Sequence, residues 1–110
     1  MSKATFVIRP NSAAQQYFVL RATNNEPILT SEPYTARHNV LNGIEAVRFN
    51  SQHDNRYERR TSTAGEPYFV LKGGNHEILG TSEMYSSVGQ RDQGIEAVKT
   101  CAPVAAVIEG

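Results

Sequence analysis

Two clusters in this 110-residue chain set hydroxyls, a carboxylate and a phenol at fixed spacing: Thr30-Ser31-Glu32-x-Tyr34 and Thr81-Ser82-Glu83-x-Tyr85. As chemistry, Glu32 or Glu83 beside a tyrosine could do general acid–base work. As structure, the serines and threonines would satisfy free backbone groups at a strand end. The glutamates would lie near a helix N-terminus, where the dipole favours them, and the tyrosines would anchor the corner. The repetition favours the structural reading, because a duplicated fold needs two corners and usually only one active site. Ser31, Glu32, Tyr34, Ser82, Glu83 and Tyr85 are therefore a candidate corner site in which structure is the preferred role.

Other chemistry finds less support. His38, His53 and His76 are scattered, and no Cys/His/Asp cluster has ligand spacing, so neither a metal nor any other cofactor is expected. Cys101 is the sole cysteine. It is read as a free, buried or half-buried thiol, since no neighbouring base is evident. Lys72-Gly73-Gly74-Asn75 is glycine-rich but lacks the spacing of a phosphate-binding loop, and a hairpin turn accounts for it.

The elements that must position these residues come from an internal repeat. Shifted by 51 positions, 6–49 lies over 57–100 without a gap, with 17 identities in 44 positions. Tyr17–Leu20 matches Tyr68–Leu71, and Gly43–Val47 matches Gly94–Val98. Each copy reads as strand, strand, strand, helix. In copy one Phe6–Arg9 is a short β-prone run, and Gln16–Ala22 is aromatic and β-branched. Pro27–Ser31 follows a turn, and Ile78–Ser82 is its counterpart. Pro27 belongs at a strand start or an edge, because it cannot donate to a ladder. Thr35 and Ser86 are placed to cap the helices, and Ser87 with Gln90 makes a capping box. Val40, Ile44 and Val47 share one helical face, and Val88, Ile95 and Val98 form the matching stripe, with Arg91 in place of Val40. Asn42-Gly43 resembles a hairpin turn, but the helical period runs through it and Gln93-Gly94 replaces it in copy two. Glycine inside both helices therefore points to close packing of the backbone.

A unit of 44 residues is too small to offset its chain entropy comfortably, so the copies are expected to share a core. The predicted fold is α+β: one mainly antiparallel sheet of six strands with two helices on one face. Repeat one spans 6–49, a polar linker 50–56, repeat two 57–100 and a tail 102–110. Residues 1–5 and the tail are expected to fray, although Val104–Ile108 is apolar enough to dock.

With helices on one face, the other face is open. Phe18 and Leu20 point to one side of the sheet and Tyr17, Val19 and Arg21 to the other; if the first pair is the core set, the open face carries Tyr17, Val19 and Arg21 with Tyr68, Val70 and Lys72 beside them. Aromatics with cations on an open sheet can stack bases or form a protein interface. Against these stands a plain solvated face built from good β-formers. Arg56, Arg59 and Arg60, interrupted by Glu58, suggest a solvated edge strand.

Eleven basic and eleven acidic residues leave a formal net charge of zero, which argues against a protein devoted to phosphate backbones. Apolar runs are too short for a membrane span, and one cysteine fits a reducing cytoplasm. The preferred function is a non-enzymatic binding or protein-interaction module, monomeric, with its partner unidentified. Single-stranded nucleic acid on the open face and a small corner enzyme are the alternatives.

The recurring motifs Tyr68–Lys72, Thr81–Tyr85 and Gly94–Val98, with their first copies, resemble the YegP-like family of small bacterial proteins of unknown function. The likeness covers nearly the whole chain and fits a two-copy branch. It implies a three-strand-plus-helix unit paired into one sheet, with helices exchanged between units. Single-copy relatives would build the same object as a dimer. It brings no activity, cofactor or catalytic residue. Copy one departs from the pattern at Leu29 and Pro33.

Overall fold

A computed structural model describes residues 3–110. The first copy contributes β1 (Thr5–Pro10), β2 (Gln16–Arg21), β3 (Pro27–Ser31) and α1 (Arg37–Asn50). A short 3-10 turn at Asp54–Arg56 leads to β4 (Tyr57–Thr61), β5 (Pro67–Lys72), β6 (Ile78–Thr81), α2 (Val88–Cys101) and β7 (Ala106–Glu109). The fold is α+β, as the repeat predicts, but the sheet has seven strands rather than six, in the order β4-β5-β6-β3-β2-β1-β7.

The seventh strand is the tail that was expected to fray. β7 pairs parallel to β1, with Val107 beside Phe6 and Ile108 beside Val7. The Ala106 amide donates to the Ala4 carbonyl at 3.1 Å and Gly110 to Ile8 at 2.9 Å. β-branched residues fit a pleated strand, and β1 otherwise ends the sheet with an unpaired row of backbone groups. At the other end of the chain Ala4 is buried, so order extends further than expected there too. Residues 1–2 of the expected N-terminal fray lie outside the described residues. The segment read as a linker carries the 3-10 turn, and Ser51 within it is fully buried.

At the centre of the sheet β3 and β6 run antiparallel, with Thr30 opposite Thr81. These are equivalent positions of the two copies, so a pseudo-two-fold axis passes between them. Leu29 and Gly80 are also equivalent, and here the symmetry breaks. A Cβ on Gly80 would come within 2.7 Å of the Leu29 side chain. One leucine therefore fills the space on the axis that two would contest.

The main core cluster lies under the helices. Phe6, Ile8, Phe18, Leu20, Phe69 and Leu71 pack with Val40, Ile44, Val47, Ile95 and Val98 in one cluster. α1 lies on β2 of its own copy and on β5 and β6 of the other, and α2 lies on β5 and on β3. Each helix thus straddles the junction. The expected stripe fails at one position: Val88 is 55% exposed in the first turn of α2. The Arg91 side chain is only 12% exposed where copy one has buried Val40. The caps also sit one residue later than expected. Ala36 precedes α1 without a side-chain cap, while Ser87 accepts from the Gln90 amide at 3.1 Å. The Gln90 side chain accepts from the Ser86 amide rather than from Ser87, so the capping box is offset.

Candidate functional site

The corner residues are held identically in both copies. Ser31 Oγ accepts from the Phe18 amide at 2.9 Å and donates to the Glu32 carbonyl at 2.8 Å. Ser82 does the same with Phe69 and Glu83, at 2.9 Å each. Both serines are buried, so each bridges a strand N–H and a corner C=O that would otherwise lack partners. The Tyr34 ring stacks on Phe18, with centroids 6.5 Å apart, and Tyr85 stacks on Phe69 at 6.4 Å. The hydroxyls of Tyr34 and Tyr85 rest against Gly43 and Gly94, where a Cβ would collide with them. The helix glycines therefore make room for corner tyrosines. Burial, followed by the charge of Glu32 or Glu83, raises the pKa of each phenol. Glu32 and Glu83 themselves are exposed. A phenol held protonated is poorly suited to act as a base near neutral pH.

The open face is a separate surface. Registers of Arg9 with Tyr17 and Val7 with Val19 place these four on the side away from the helices. In copy two Arg60 faces Tyr68, and Glu58 faces Val70. Arg9 and Arg60 are equivalent positions, so each copy presents an arginine–tyrosine pair at the same place. Arg21 and Lys72 complete the row. All six expected face residues (Tyr17, Val19, Arg21, Tyr68, Val70 and Lys72) thus lie on one side, away from the buried corner serines. Val19 is 7% and Val70 1% exposed although no helix covers them. At Val70 the long neighbours explain this: Lys72 pairs with Glu58 at 3.4 Å, and Arg60 pairs with the same carboxylate. The hydrogen bond from Arg60 leads the effects that hold Glu58 below the usual carboxylate range.

The residues missed as face members are Arg9 and Arg60. Their pairing with the tyrosines depends on hairpin register, although sliding the copies already superposes the two arginines. Arg59, grouped with Arg60 by sequence, points to the other side and bonds Asp92 of α2 at 3.3 Å. Cys101 is buried, and burial pushes its thiol pKa up, away from the thiolate a nucleophile needs. Among the described residues, no helix is long and apolar enough to cross a membrane.

The chain matches the family model described as a domain of unknown function, DUF1508, twice, over residues 11–58 and 62–109. These segments begin in the turn before a second strand and run through the helix into β4 or β7. The second match thus includes the tail strand. A UPF0339 protein from the ptx operon 5' region of Stutzerimonas stutzeri is 47% identical over 96% of this chain and 95% of its own length. The YegP protein of Escherichia coli K12 is 46% identical over 86% of each chain. Two solution NMR structures are similar: a UPF0339 protein from Shewanella oneidensis, with a TM-score of 0.91 at 42% identity, and E. coli YegP, with 0.93 at 40%. They cover 99% and 100% of this chain, which spans 92% and 95% of theirs. Matched by the family model in both halves and by relatives along most of its length, the chain belongs to the UPF0339/YegP family as a tandem DUF1508 protein.

Proposed function

We propose that this protein is a non-enzymatic binding module whose open sheet face takes an acidic segment of a protein partner. One observation carries the reading: the uncovered face gathers Arg9, Arg21, Arg60 and Lys72 in its two hairpins, with Glu58 the one acid among those paired positions, on a chain of zero net charge. Charge segregated this way steers and selects anionic partners. Paired arginines and tyrosines are also the residue types enriched at interface anchors. The exposed corner carboxylates and the hydrogen-bonded corner serines support a role outside catalysis.

Single-stranded nucleic acid is the second reading, favoured by the same arginine–tyrosine pairs. The sheet order puts three strand spacings between β2 and β5. Tyr17 and Tyr68 are therefore at least about 14 Å apart. Neighbouring stacked bases lie roughly 3.4 Å apart, so the two rings cannot hold adjacent bases. That spacing supports the protein reading over the nucleic-acid one.

The test is an amide NMR titration at low ionic strength with an acidic hexapeptide and, separately, a short oligothymidylate. The proposal expects saturable peptide shifts along β2 and β5 that vanish in Arg9→Glu/Arg60→Glu. Shifts confined to the helices, or tighter binding of the oligonucleotide, would count against it.

A further inference from the structure

The geometry points to a binding site for a small oxyanion of the phosphate class in the turn between β5 and β6. A hollow of about 280 Å³ opens there, lined by Asn55, Arg56, Lys72, Gly73, Gly74 and His76. Arg56 ends the 3-10 turn immediately before β4, and the pairing of Tyr57 with Leu71 sets it beside Lys72. Its guanidinium lies over the bare backbone of Gly74, where a Cβ would come within 2.9 Å of Nη1. Arg37, Arg48, Arg59, Arg60 and Arg91 each meet a carboxylate, whereas Arg56 meets none among the described residues. Its Nε is buried without an acceptor. The two Nη groups, by contrast, lie over Gly74, so the guanidinium presents its free donors and its permanent charge to the turn.

The turn adds to this. The amides of Gly74 and Asn75 donate to nothing among the described residues. Successive free N–H groups in a turn form a concavity suited to anions. His76 sits at φ 68°, in the left-handed region, and lines the hollow. Lys72 already shares its charge with Glu58, so Arg56 supplies the charge that remains unspent.

Copy one provides an internal comparison. Its hollow is lined by Lys3, Thr5, Arg21, Ala22, Thr23 and Asn25, with Val7 and Ile108 in the wall. Thr5 replaces Arg56, and Ala22-Thr23 replaces the two glycines. Arg21 Nη1 is spent on the Asn25 carbonyl at 2.8 Å. The copy-one hollow is also cationic, through Lys3 and Arg21, but an arginine laid over a glycine occurs only in copy two. Among the described residues, no Phe, Tyr or Trp lines the copy-two hollow to stack a base, which favours a free anion over a nucleotide.

The site shares Lys72 with the open face but does not rest on that face binding a protein. The test is a titration of the whole chain with inorganic phosphate, at an ionic strength held constant with sodium chloride, read by amide NMR. We expect saturable shifts at Arg56 and at residues 73–76, and at least tenfold weaker response at residues 22–25. Arg56→Ala and, separately, Gly74→Ala on the exposed turn should abolish saturation, while Tyr17→Ser/Tyr68→Ser should leave it unchanged. Equal, unsaturable shifts in both turns would overturn the assignment, as would saturation that survives Arg56→Ala. Tighter binding of adenosine monophosphate than of phosphate would overturn the choice of a free anion.

Discussion

Gly94 shows how a residue can oppose its own element. In a helix interior, glycine costs roughly 1 kcal/mol against alanine. Here the Tyr85 hydroxyl occupies the space a Cβ would take, and the Phe69 ring lies 3.3 Å from it. Overpacking a filled site costs about 1–3 kcal/mol, which exceeds the propensity gain. Gly94→Ala should therefore destabilise the protein in denaturant melts. Adding Tyr85→Phe removes the hydroxyl and should restore part of the loss. Additive losses in the double variant would mean the glycine is kept for another reason. The need for close packing was legible from glycine in both helices. The partner was not, because a tyrosine nine residues earlier meets it only through the corner geometry.

At the scale of elements, the strands and helices follow from β-branched runs, turn residues and helical period. Alternation separates Phe18 and Leu20 from Tyr17, Val19 and Arg21, and the packing of the helices decides that the first pair is the core. Two features escaped. Val88 falls on the helical stripe, yet it is exposed in the first turn of α2. β7 lies at the end of the chain, where local composition cannot reveal a docking edge 100 residues away. Its anchor is Glu109, which bonds Arg37 at the start of α1 through both carboxylate oxygens, at 3.1 and 2.5 Å. The hydrogen bond from Arg37 is the leading cause that lowers the Glu109 pKa from its ordinary 4.5. A depressed folded-state pKa means the contribution is present above the unfolded value and lost as pH falls through the folded one. The protection factors of the amides at residues 106–110 should therefore fall selectively below pH 4.5, before the rest of the sheet opens. The pair is solvent-exposed, so salt should weaken the effect. Glu109→Gln should show the lower protection already at neutral pH. Unchanged exchange in that variant would show that the backbone pairing alone holds β7.

For the whole molecule, the duplication determines both what is shared and what differs. Copies that meet on a pseudo-two-fold axis cannot both place a leucine there, and a single chain is free to assign leucine to Leu29 and glycine to Gly80. Leu29→Gly removes a fully buried side chain and should cost several kcal/mol, in line with the 2–5 kcal/mol typical of leucine truncation to alanine. Gly80→Leu should cost about 1–3 kcal/mol by crowding. Exchanging the two residues should recover much of the combined loss, because the leucine then enters the same space from the opposite strand. The shared core was readable from the repeat. This asymmetry was not, since it appears in the sequence only as one mismatch among many.

The proposal that the uncovered face takes a protein partner is tested most directly by affinity capture from the native cell lysate. Wild-type protein and Tyr17→Ser/Tyr68→Ser would be compared with and without nuclease, after confirming that both melt alike. The account predicts a protein partner that survives nuclease and is lost with the tyrosine variant. Identical material captured by both proteins, or material that disappears on nuclease treatment, would contradict it.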